Sequence, residues 1–119
     1  MFNGRMTKAT SRPKRLTADY RQLRRQLGSL GYLSQGSVFQ RGPDQQGSRY
    51  VWTRKVEAKT VTVALSKQQY QWLCRAVANQ RKLERIVRQM QQRSRQILFE
   101  SVPGVVHRKP LTKRVLGII

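Results

Sequence analysis

No glycine or proline occurs between Lys67 and Glu100. These two residues are the ones that break helices, so their absence over so long a stretch predicts one continuous helix. Ser66 is placed to cap its start, and Pro103-Gly104 follows its end as a stop signal. Ala76, Leu83, Met90 and Ile97 stand seven residues apart, with Leu73 and Val87 at alternate seam positions and Gln80 and Ser94 filling the rest. That is a heptad seam of the coiled-coil kind, widened by Val77 and Ile86. At ~1.5 Å per residue the helix would reach about 50 Å. A chain this small has little to cover it, so Leu83, Val87, Met90 and Ile97 are expected to be buried against a partner helix, from a second copy or a larger protein.

The opposite side of the same helix carries Arg81, Arg85, Arg88 and Arg95, which at ~100° per residue fall within about 80° of one another. Glu84 is the sole acid between Lys67 and Gln96, so one carboxylate, four residues before Arg88 and three after Arg81, is all that can offset the repulsion among these arginines. The imbalance extends to the whole chain. Lysine and arginine total 25, aspartate and glutamate 5, and the net charge is +20. Self-repulsion on that scale calls for a polyanionic partner. Arginine outnumbers lysine, and its planar fork grips phosphate and guanine edges where lysine is a point charge.

Before the long helix the chain reads in three parts. Residues 1–16 hold Arg5, Lys8, Arg12, Lys14 and Arg15 with few apolar groups, and are expected to form a disordered basic arm. From Thr17, a candidate N-cap, Tyr20, Leu23, Leu27 and Leu30 recur at helical spacing, with Arg21, Arg24 and Arg25 off the stripe. Three strand candidates follow: 36–41, 49–56 and 59–65, the last alternating cleanly as Val61, Val63 and Leu65 against Thr60 and Thr62. Glu57-Ala58 is short enough for a hairpin. The expectation is therefore an α+β fold: a short helix, a three-stranded antiparallel sheet and one long helix over 17–101, then a basic tail over 102–119 with an apolar end.

Catalysis finds little material. Asp19, Asp44, Glu57, Glu84 and Glu100 are scattered singly, against the converging carboxylates of a two-metal site. Cys74 alone makes no internal disulfide, and His107 alone makes no multi-histidine metal site. The loop around Gly42-Pro43 and Gly47 lacks the Gly-Lys-Ser/Thr of a phosphate loop. No apolar run approaches the ~20 residues of a membrane span, and the N-terminus lacks the apolar core of a secretory signal. No enzyme activity, metal or cofactor is expected.

Nucleic-acid contact is expected instead from Arg12, Lys14 and Arg15 of the arm, Arg24 and Arg25 of the first helix, Arg81, Arg85, Arg88 and Arg95 of the long helix, and Arg108 and Lys109 of the tail. In the second strand Tyr50, Trp52 and Arg54 point one way and Arg49, Thr53 and Lys55 the other. If helices cover the aromatic face, Arg49, Thr53 and Lys55 are left as the open one. Sheets of this size can enter a major groove, and sheet aromatics can stack on splayed bases.

The segment from Leu27 to about Glu100 resembles a family of small prokaryotic proteins often encoded near insertion sequences and transposases. The matching features are the helix running into Gly36-Ser37-Val38, the strand Tyr50-Val51-Trp52, the strand Lys59-Thr60-Val61-Thr62-Val63 with Leu65-Ser66, and the long helix through Asn79 and Leu83. Family members typically carry a cysteine cluster, often with a histidine, between the first two strands. This chain has Arg41-Gly42-Pro43-Asp44-Gln45-Gln46-Gly47-Ser48 there, so the resemblance implies no zinc site. It implies a mobile-element context and no catalytic residues. The expected function is a cytoplasmic, nucleic-acid-binding accessory protein, with DNA favoured. A structural RNA-binding protein associated with a ribonucleoprotein, or an adaptor recruiting a protein through the long helix, are the rivals.

Overall fold

The computed structural model describes residues 3–44, 46–106 and 109–119, with side chains from Arg12 onward. The fold is α+β: α1 (Asn3–Gly28), β1 (Ser37–Gln40), β2 (Tyr50–Val56), β3 (Lys59–Leu65), α2 (Lys67–Ser101) and α3 (Lys113–Leu116). The chain divides into two compact units, residues 30–84 and residues 1–29 with 85–119.

In the unit of residues 30–84 the sheet is an antiparallel meander in the order β1-β2-β3. β2 and β3 pair from Tyr50 opposite Leu65 to Val56 opposite Lys59, which leaves Glu57 and Ala58 as a two-residue turn. Both have positive φ, 49° and 67°, the geometry of the turn that matches strand twist. β1 pairs with the first half of β2, Ser37 opposite Thr53 and Gln40 opposite Tyr50. Strand alternation puts Tyr50, Trp52, Arg54, Val63 and Leu65 on one face. α2 lies against that face, with the Tyr50 and Tyr70 rings 4.8 Å apart. Ser66 caps α2 as expected, in a reciprocal box: its Oγ accepts from Gln69 N at 3.1 Å, and Gln69 Oε1 accepts from Ser66 N at 2.9 Å. The segment before β1 is tied to the helix. Ser34 N donates to Ala76 O at 3.2 Å and Asn79 Nδ2 to Tyr32 O at 3.0 Å. Ala76 and Val77 of α2 and Val51 of the central strand are the buried apolar residues of this unit.

In the other unit α1 runs antiparallel to the second half of α2. Arg12 meets Glu100 at 2.9 Å, and one heptad along each helix Asp19 meets Arg93 at 3.8 Å. The buried Ile86 lies seven residues before Arg93 on the same line of α2.

Two expectations about the first helix are corrected. The basic segment 1–16 is helical from Asn3 rather than an arm. Thr17 sits inside the helix, its Oγ1 donating to Pro13 O at 2.9 Å. Pro13 inside the helix forfeits its N–H bond and crowds the carbonyl four residues before it, a cost set against the good helix formers Arg12, Lys14, Arg15 and Leu16 and the ion pairs to α2. The basic tail carries a short helix near its end. Thr112 caps α3, accepting from Val115 N, and Gly117 closes it at φ 75°. Gln92 Nε2 then donates to Ile118 O at 3.0 Å and Arg95 Nη1 to Gly117 O at 3.1 Å. Leu83, Val87, Met90 and Ile97 are half-buried within the chain, which leaves part of the seam open to a partner helix. An α-helix drifts about 20° per heptad from a strict 3.5 repeat, and α1 covers the neighbouring line through Ile86, Arg93 and Glu100.

Candidate nucleic-acid interface

The arginine face of α2 is built as the periodicity requires. Arg81, Arg85, Arg88 and Arg95 are all exposed. Within the unit that holds the second half of α2, Arg85, Arg88 and Arg95 line one cleft of about 450 Å³ with Gln89, Gln92 and the docked Gly117 and Ile119. The described residues contain two ion pairs, Arg12 with Glu100 and Arg93 with Asp19. None of the cleft arginines has a carboxylate partner among them. Arg95 has one donor engaged on Gly117 O, which leaves Arg85 and Arg88 as the open cations. Arg81 belongs to the other unit and is likewise without an ion pair among the described residues.

On α1, Lys14, Arg15, Arg24 and Arg25 are exposed. Arg21, read as off the apolar stripe but not among the expected nucleic-acid contacts, is exposed too, and with Arg25 it shares a face with Lys14, at i+7 and i+11 from it. The spacing was a readable signal. Arg12 differs, since Glu100 offsets its charge. Lys109 is exposed, whereas Arg108 lies outside the described residues.

The sheet candidates divide. Thr53 and Lys55 come together with Ser37, Arg54 and Thr60 around a cleft of about 410 Å³. Arg49 is exposed but stands apart: its Nε and Nη2 donate to the Gln40 amide oxygen at 3.0 and 2.9 Å when that amide is turned to face them. On the aromatic face Trp52 is half-buried, its Nε1 donating to Gln35 O at 3.0 Å and the Arg54 guanidinium resting 5.1 Å from its ring centre. Trp72 and Tyr32, absent from the sequence candidates, stack at 5.0 Å and stay 44% and 72% exposed. Tyr32 sits in an irregular segment with no periodicity to flag it. The Tyr70 hydroxyl is bonded to the Cys74 thiol one turn on, which together with Cys74's own charge, desolvation and Tyr50 pushes its pKa above the usual tyrosine value.

Among the described residues no group of three or more His, Cys, Asp or Glu side chains could hold a metal ion, and no helix is long and apolar enough to cross a membrane. No family model, curated protein or solved structure matches the chain.

Proposed function

We propose that the protein is a nucleic-acid-binding accessory protein that contacts phosphates through the outer faces of α2 and α1. A single observation carries this reading: Arg85 and Arg88 line an open cleft on a long helix, without an ion-pair partner among the described residues, in a chain of net charge +20. Like charges held on a helix face repel by a few tenths of a kcal/mol per pair. A polyanion turns that cost into attraction by releasing its own condensed counterions. DNA, in a mobile-element or recombination setting, is the favoured target. The location is the cytoplasm, at the nucleoid or a ribonucleoprotein. A second copy or a larger protein would be held along α2, where Leu98 remains 46% exposed.

A structural RNA-binding role is the second reading, favoured by the exposed Tyr32–Trp72 pair, because RNA recognition draws on aromatic stacking of unpaired bases. The test is a filter-binding titration with duplex DNA and an RNA hairpin across a salt series. The expected result is a linear fall of log K with log salt, of slope about −0.9 per neutralised phosphate on B-DNA. A flat response with both ligands overturns the polyanion reading.

A further inference from the structure

Between the sheet and the start of α2, within the unit of residues 30–84, lies a groove of about 460 Å³ lined by Trp52, Val63, Leu65, Trp72, Leu73 and the stems of Gln68 and Gln69. That volume falls in the range of small-molecule sites. Both tryptophans of the chain line it. No acidic side chain does.

We infer that this groove is a stacking site for unpaired nucleobases, so that the protein holds single-stranded nucleic acid by a contact separate from the arginine faces. The inference rests on the nucleic-acid reading above and adds the strandedness of the target.

Three features carry it. Trp72 is 44% exposed although it faces a packed sheet edge, and Tyr32 extends its aromatic surface at a ring separation of 5.0 Å. Exposed apolar surface of this kind, edged with polar groups, marks a binding face. Trp52 is held in place by its bond to Gln35 O and by Arg54 on its ring, so one wall of the groove is set before any ligand arrives. A fixed wall lowers the ordering cost of binding.

The chemistry at the edge also selects the occupant. The Trp72 indole N–H has no hydrogen-bond partner among the described residues, and the Gln68 amide offers a donor and an acceptor. Arg54 stands on the same sheet face as Trp52, and Arg75 is exposed one turn beyond Trp72. Aromatic faces with cations beside them match the alternation of base and phosphate along a single strand. A duplex keeps its bases stacked inside and could use only the cations.

The two tryptophans make the groove its own reporter. The full-length chain is titrated with oligothymidylate, oligouridylate and a DNA duplex of equal length, following tryptophan emission and, separately, the anisotropy of labelled ligand. Either single strand should quench the emission as binding saturates, and the duplex should bind with little quenching. Trp72→Ala should weaken single-strand binding by about tenfold, the scale of one lost base stack, and leave duplex affinity within about twofold. Trp72→Phe should restore most of the loss. If Trp72→Ala fails to fold by circular dichroism, Tyr32→Ala, at an exposed site, decides by the same selective loss. Single strands that bind without quenching, and equally well to Trp72→Ala and Tyr32→Ala, overturn the inference while leaving the arginine faces standing. An emission shift with an acidic amphipathic peptide and none with oligonucleotides overturns it in favour of a protein ligand. Failure of every nucleic acid to bind overturns the underlying reading itself.

Discussion

Gly36 and Ala58 occupy the same kind of backbone, φ 108° and 67°, with opposite consequences for substitution. A Cβ on Gly36 would stand 2.4 Å from Trp52 Nε1 and 2.5 Å from Thr53 O. Gly36→Ala therefore meets both left-handed strain and a clash that breaks the Trp52–Gln35 bond. It should cost at least about 2 kcal/mol in urea unfolding. Ala58 already carries its Cβ in the left-handed region, a conformation that costs L-residues roughly 1–2 kcal/mol. Ala58→Gly relieves that strain and loses part of the gain to unfolded-chain entropy. A net rise of about 0.5–1 kcal/mol is expected by the same measurement. The sign of each change could not be read from the sequence. Glu57-Ala58 lacks the Asn-Gly signature, and nothing near Gly36 announces a tryptophan from another strand.

The elements differ in how far their residues announce them. β3 and α2 were legible nearly to the residue, because strict alternation over 59–65 and an unbroken run from Lys67 leave no competing period. α1 was legible only from Thr17. Pro13 in a basic stretch reads as a break, and the α2 flank that favours continuation is distant in sequence. α3 is too short for periodicity, although Thr112 and Gly117 bracket it as cap and stop. The heptad seam is half-buried within the chain, and full burial there falls on the adjoining line at Ile86. That difference is testable. Ile86 is 3% exposed while Leu98 is 46% exposed, so Ile86→Ala should destabilise by about 2–4 kcal/mol through cavity formation. Leu98→Ala should cost less than about 1 kcal/mol in the same denaturation series. Equal losses would mean that Leu98 is covered in solution, by a second copy or by another protein.

For the molecule as a whole, charge decides which contacts can matter. With net charge +20, nonspecific attraction to a polyanion comes from the entire surface, and single substitutions change it little. What distinguishes a true phosphate contact is the count of released counterions, which salt dependence measures and affinity at one salt does not. Arg85 and Arg88 are exposed and without an ion pair among the described residues, so Arg85→Ala with Arg88→Ala should leave the fold intact. If each neutralises one phosphate, the log–log slope on duplex DNA should become shallower by about 1.8, twice the 0.9 per phosphate. The loss should be the same for unrelated sequences, because phosphate contacts position the protein without reading bases. Substitutions at Thr53 and Lys55, around the sheet cleft, should instead alter preference among sequences if that face meets base edges. A double arginine variant whose slope equals the parent's would reduce the α2 face to solvated surface. The charge of α1, through Lys14, Arg21 and Arg25, would then carry the binding, and the same slope measurement on those residues would find the missing phosphates.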